Sequence, residues 1–551
     1  MILHTKLLSS LEKVFADEEP AGTVRQKGSA LRGEIFSFQW AFCPDEGARL
    51  DTEIRVESPL SDGIRLYTVG QVPSMLPVYP WSDEHHLRRT PGLYPDPLFP
   101  CSGPMRLVGG QWRSLWVEVT VGEDRPAGVY PIRLILSETG HPDVPLVEAD
   151  FRLEILNARL PEQTLIHTEW FNCDCLAVLH KVPVFSEEHW TIIGNYLENA
   201  VRYGINMLLT PVLTPPLDTG VGLERPTVQL VDIVRTADGY RFGFSRLKRY
   251  MDLALEKGIR YFEISHLFTQ WGAHCAPKVV VCENGEEKRL FGWNTAADSP
   301  EYVAFLREFL PALREFLEKE GRLDRCYFHI SDEPTLEMED SYRRARDIVA
   351  PLLEGCRRLD ALSEYAFYEK GLVPIPIPSN NHIDAFLEHH VPHLWTYYCC
   401  CQVDEVSNRM MAMPSARSRI LGWQLYKYRI EGFLHWGYNF WFSQYSKHPI
   451  DPYYTTDAEE AFPSGDAYLV YPGDDGQPVP SIRQLVFLES LQDLRALELL
   501  ESMTSREEMV SWIDRVCGEP LTFRRYPREA DRLLDMREQI NAHIRQRLES
   551  R

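Results

Sequence analysis

The chain has 551 residues, 44% hydrophobic and 25% charged, too many for one hydrophobic core and ordinary in composition, so two or three globular domains are expected. Lys and Arg number 58 against 80 Asp and Glu, a net charge of −22 that argues against nucleic acid or another polyanion as partner. No run of about 18 apolar residues suggests a membrane span, and the 12 cysteines, crowded at Cys173 and Cys175 and at Cys399 to Cys401, read as reduced thiols rather than a disulfide framework.

The opening stretch MILHTKLLSSLEKVF carries Glu12 and Lys13 early and has no apolar core of export-signal length, so residues 1–24 are expected to form an amphipathic helix or arm of a cytoplasmic protein. From 25 to 160 the runs IFSFQWAF, TEIRVES, IRLYTVGQV, SLWVEVTV, VYPIRLIL and ADFRLEIL alternate apolar and polar residues between turn signals. That spacing predicts a β-sandwich. The Pro-rich insert from Val72 to Pro104 reads as a long loop whose aromatics lie against a neighbour or against each other.

After a short boundary at Asn157 to Pro161 the texture becomes strand alternating with helix. Strands are expected at Leu165–Phe171, Ile205–Val212, Tyr261–Phe268, Cys326–Ile330, Tyr365–Tyr368, Ile383–Phe386, Leu394–Tyr398 and Gly432–Trp436. Amphipathic helices lie between them, and Gly204, Gly258 and Gly321 stand where a left-handed C-cap belongs. The pattern predicts a (β/α)8 barrel over 161–500. An open doubly wound sheet is the alternative, and the absence of a glycine-rich phosphate loop counts against it and against any nucleotide cofactor. The fold class expected is thus multidomain: an N-terminal β-sandwich, then a (β/α)8 barrel with C-terminal helices. His389, His390 and His393 have no second set of ligands to complete a zinc site, so neither metal nor cofactor is expected.

In a barrel, chemistry collects where strands end. Those ends carry His167, Glu169, Trp170 and Asn172, then Ser265, His266 and Trp271, then Tyr368 and Glu369, Trp395 and Tyr397, and Trp436, Asn439 and Trp441. Aromatic faces beside carboxylates and amides suit a sugar. The candidate sugar-binding residues are Trp170, His266, Trp271, His329, Tyr368, Trp395, Tyr397, Trp436, Asn439 and Trp441. Candidate acids stand in CYFHISDEPT, residues 326 to 335. Alternation puts Phe328 and Ile330 under covering helices, with Tyr327, His329, Ser331 and Glu333 on the enclosed side. Asp332 reaches that side only if the chain turns before Pro334. The plainer alternative is that Asp332 caps a helix.

The stretch DPYYTTDAEEAFPSGDAYLVYPGDDGQPVPSIR is expected to fold over the same rim. Two amphipathic helices follow, SIRQLVFLESLQDLRALELLES closing the barrel and READRLLDMREQINAHIRQRLES forming a helical tail within 501–551, packed on the barrel rather than held out for a partner.

FHISDEPT, GFLHWGYNFW, and GDAYLVYPGDDGQPVPSIR followed by LESLQDLRALELL together resemble glycoside hydrolase family 123 and its relatives under domain of unknown function 4091, over nearly the whole chain. The resemblance implies a β-sandwich ahead of a (β/α)8 catalytic domain, and retaining exo-hydrolysis of β-N-acetylgalactosaminides. It also implies that Asp332 holds the substrate's 2-acetamido group while Glu333 is general acid and base. The CCCQ run after Tyr398 and the weakly charged LVFLESLQD helix depart from the family pattern.

Ordinary retaining glycosidases flank the scissile bond with two carboxyls about 5–5.5 Å apart, which neighbouring residues do poorly. A substrate whose own acetamido oxygen attacks needs carboxylates on one side only. The alternatives are a two-carboxylate enzyme using Glu333 with Glu369, Glu169 or Asp404, and a non-catalytic carbohydrate-binding protein. The partner expected is a small glycan, with no nucleic acid and no membrane; self-association stays open.

Overall fold

A computed structural model describes residues 2–550 as a mixed α/β fold with several sheets around a nearly closed barrel. The barrel strands are β1 (Ile166–Glu169), β2 (Met207–Thr210), β3 (Tyr261–Ile264), β4 (Cys326–Phe328), β5 (Arg357–Ala361), β6 (Ile375–Ile377), β7 (Trp395–Tyr397) and β8 (Gly432–His435). All are parallel, each beside its successor, with β8 beside β1. Only the β6–β7 seam lacks a full ladder. There the Tyr397 N–H donates to Pro378 and the Asn380 N–H to Tyr397, at 3.1 and 2.9 Å.

Strand alternation sorts the side chains. Tyr327, Leu359, Ala361, Ile377, Trp395 and Leu434 fill the barrel, while Phe328 and Ile330 join the larger core under the helices. Two expected strands are corrected. Tyr365–Glu369 is a short helix, closed where Gly371 turns at φ +68° and donates its N–H to Tyr368. Asp384–Glu388 is a second. Stretches of only four residues fit either period, so pattern alone misassigned them. The true β5 and β6 read poorly as strands because RRLDA places Asp360 among apolar residues and IPI contains Pro376.

Ahead of the barrel lie two five-stranded sheets. They share one core that includes Phe38, Leu115, Val117, Leu134, Leu136 and Phe151, with Phe38 stacked on Phe151 at 4.0 Å. The expected N-terminal helix is instead a strand, Leu3–Ser9, paired antiparallel with Ile35–Pro44. Leu7 and Leu8 enter different clusters on opposite faces, a need that a strand meets and a one-sided helix does not. Part of the Pro-rich insert is also strand, Gly92–Pro100, an edge position that tolerates prolines. Its Asp96 makes a buried ion pair with Arg483 of the long helix Ile482–Ser502.

The C-terminal segment is no pendant tail. Helix Ala530–Glu549 packs on the long helix and on strands Lys27–Arg32 and Pro145–Arg159. Buried Arg537 joins Glu34 to Asp493 there, at 2.8 and 3.0 Å. A further four-stranded sheet, from 232–243 and 279–291, escaped the sequence reading.

Candidate active site

The loops following β4, β7 and β8 converge on a cavity of about 230 Å³. Asp332 and Glu333 both line it, with Trp170, Leu217, Asp218, Gln270, Trp271, Ala361, Tyr397, the three cysteines 399 to 401, Leu434, Trp436 and Phe462. Adjacent residues of an ideal strand face opposite ways. Here the chain leaves strand geometry at Glu333, whose φ is +43°, while the Trp271 N–H binds the Asp332 carbonyl and the Glu333 N–H binds that of Ala361, at 2.9 and 3.0 Å. That turn aims both carboxylates inward. A glutamate in the left-handed region costs about 1–3 kcal/mol, a strain that clusters at functional sites.

The two carboxyls differ in partners. Tyr397 donates its hydroxyl to Glu333 Oε1. Burial raises the Glu333 pKa against that hydrogen bond, and burial together with the Glu333 charge raises Asp332 well above the usual carboxylate range. Burial and mutual repulsion thus both favour a shared proton on the pair.

Near Asp332 lies a buried, hydrogen-bonded cluster of side chains. His329 Nε2 meets Glu263 at 2.6 Å and its Nδ1 meets Asp360 at 3.1 Å, while Glu263 also accepts Trp170 Nε1–H at 2.7 Å. Burial disfavours the imidazolium, yet the two carboxylates prevail and raise the His329 pKa to about 9. His266 stacks on that ring at 4.1 Å, and burial and the neighbouring cation drive its own pKa far down. Both ring nitrogens of His266 lack a hydrogen-bond partner.

A family model described as "Glycoside hydrolase 123, catalytic domain" matches residues 170–500. The chain belongs to glycoside hydrolase family 123. Among solved structures it is similar, over 99% of both chains with a TM-score of 0.75 and 13% identity, to a family 123 glycoside hydrolase from Clostridium perfringens studied for glycolipid glycan hydrolysis. A β-glucuronidase from Parabacteroides merdae aligns over 91% of this chain and 51% of its own at 11% identity, but its TM-score of 0.30 carries no argument. No curated protein matches.

Within this family 123 member, the sequence candidates divide. Trp170, Trp271, Tyr397 and Trp436 line the cavity with the acid pair. His266 and His329 are buried behind Trp170, their rings 5.3 and 6.3 Å from its own. Trp395 is barrel filling against Tyr327. Asn439 and Trp441 lie buried outside the lining: Asn439 clamps Asn172 with two hydrogen bonds and Trp441 donates to Val470. Tyr368 rides on the outer helix that replaced the expected strand. Of the rival nucleophiles, Glu369 and Asp404 are exposed and outside the lining. Glu169 is buried under a bidentate Arg409, with both contacts at 2.6 Å. Against its burial, that guanidinium holds Glu169 well below the usual carboxylate range.

The sequence reading missed Asp218 and Gln270, which sit in loops outside any strand-end pattern and are joined by the Asp218 N–H to Gln270 Oε1 at 2.7 Å. Burial raises Asp218 to about 6. The excursion after β8 does lie over the rim: Phe462 enters the lining and Asp466 accepts Trp436 Nε1–H at 2.8 Å.

Proposed function

We propose that this family 123 glycosidase is a retaining exo-β-N-acetylhexosaminidase, with galactosaminides as its preferred class, that uses the substrate's acetamido oxygen as nucleophile. What carries the reading is that sequence neighbours Asp332 and Glu333 line a single cavity, on one side of whatever bond is cut. Glu333, its pKa raised by burial, gives its proton to the leaving oxygen and then takes one from water. Asp332 accepts the amide N–H, and that hydrogen bond favours its anion, so binding of substrate leaves the shared proton on Glu333. The carboxylate then balances the charge of the oxazolinium intermediate. Trp170, Trp271 and Trp436 offer faces for the C–H side of the ring. In this reading residues 161–500 form a (β/α)8 barrel, 25–160 form a β-sandwich that braces it, and the unpaired cysteines fit a cytoplasmic enzyme taking short glycans.

Asp218 supports a second reading, a two-carboxylate enzyme, because it too lines the cavity. A panel of aryl β-glycosides with and without the 2-acetamido group separates the two. Substrate assistance requires turnover confined to the acetamido sugars, tight inhibition by an N-acetyl thiazoline sugar, and a loss of about 100- to 1000-fold in kcat for Asp332→Asn. Brisk cleavage of the non-acetylated parent, or covalent trapping of a 2-fluoro sugar on Asp218, rejects it.

A further inference from the structure

The cavity wall beside Glu333 is made of three consecutive cysteines, Cys399, Cys400 and Cys401, immediately after β7. Consecutive side chains of an extended strand would diverge. Here the chain turns: the Gln402 N–H returns to the Cys399 carbonyl at 3.2 Å, and the Gln402 side chain accepts the Cys399 N–H at 2.8 Å. Asn408 Nδ2 then spans the turn, donating to the carbonyls of Cys399 and Gln402 at 2.8 and 2.9 Å. The consequence is that all three sulfurs lie within 4.8 Å of one another, with Cys400 and Cys401 at 3.7 Å. Two thiolates bound to one tetrahedral zinc at about 2.3 Å each stand about 3.8 Å apart. One pair already has that spacing, and the third sulfur needs a rotamer adjustment of about an ångström.

Charge favours a cation there. Among the described residues, Asp218, Asp332 and Glu333 line the cavity and no Lys or Arg does.

We propose that Cys399, Cys400 and Cys401 form a binding site for a thiophilic divalent cation of the zinc class, and that the bound ion shuts off the adjacent acid Glu333. Three thiolates with a fourth position left to water suit Zn2+ over hard cations. Binding releases the thiol protons, so affinity rises with pH. A dication beside Glu333 favours its carboxylate and empties it of the proton that catalysis needs. The inhibitory half rests on the glycosidase reading; the binding half does not.

Cadmium reports such a site directly, through the ultraviolet charge-transfer band of its thiolates. Titrated into the full-length protein kept reduced by a phosphine, Cd2+ is expected to give this band with a one-to-one end point. Cys401→Ser, at an exposed position, is expected to weaken binding at least about tenfold, while Cys282→Ser on the outlying sheet leaves it unchanged. Zn2+ should inhibit hydrolysis in step with occupancy, and a chelator should restore it. Absence of the band in the wild type, or an unaltered titration in Cys401→Ser, overturns the site. Full occupancy with undiminished hydrolysis overturns its inhibitory role. A protein that binds Cd2+ one-to-one but cleaves no glycoside supports the site and counts instead against the glycosidase reading.

Discussion

Glu333 turns into the buried cavity at φ +43° and accepts the Tyr397 hydroxyl, and burial and that hydrogen bond act in opposite senses on its protonation. In the proposed role of Glu333 as general acid the rate requires its protonated form, and burial, which raises its pKa, is expected to make the rate fall with rising pH at a higher value than for an ordinary glutamate. The tyrosine acts in the opposite sense by stabilising the anion. Tyr397→Phe is therefore expected to move the alkaline limb of kcat/KM upward, whereas Glu333→Gln removes the limb and lowers kcat by about 100- to 10,000-fold on a poor leaving group, and by less on a very acidic one. A pH–rate profile unchanged in Tyr397→Phe would detach that hydroxyl from the acid. The acid pair itself was legible in the sequence, since DEP after an alternating run marks a strand ending in carboxylates. Asp332's inward aim was not, because it depends on one backbone angle. Asp218 and Gln270 left no trace, being loop residues brought in only by the fold.

At the scale of elements, the barrel depends on close approach between β7 and β8. Gly432 stands in register with Trp395, and a Cβ at that position would fall on the indole ring. Gly432→Ala must push Trp395 into neighbours that already fill the barrel, at a cost of about 1–3 kcal/mol. The urea midpoint reads this, and a midpoint equal to wild type would mean that Trp395 moves freely. Strands such as β2 to β4 were recoverable because each is a short, mainly apolar run between a helix and a polar rim. β5 and β6 were not, since Asp360 and Pro376 contradict a buried strand until the partners are known. Asp360 is satisfied by the Tyr342 hydroxyl and the Ile330 N–H.

Across the whole molecule, the buried guanidinium of Arg537 unites Glu34 of the N-terminal region with Asp493 of the long helix. Arg419 shares Asp493 and also holds Glu489, which accepts from Ser10. Removing Arg537 strands buried Glu34 without its ion-pair partner and leaves Asp493 to Arg419 alone, so Arg537→Met is expected to cost about 3–5 kcal/mol. Thermal unfolding monitored separately at the N-terminal sheets and at the barrel should shift together. A shift confined to one region would show that the network does not couple them. None of these long-range pairings could be read from the sequence, because an arginine on an amphipathic helix is ordinarily a surface residue.

The same contacts carry a consequence in time. Ser29 takes two hydrogen bonds from Asn541 and gives two to Glu538, and Arg25 binds Asp531 and Asp535, so strands before residue 33 are completed by a helix made about 500 residues later. A nascent chain that has not yet reached helix Ala530–Glu549 keeps an open sheet flank and an unneutralised Glu34. The early sheet must wait for that helix, and a chain cut off ahead of it is expected to be open to proteases around residues 25–34.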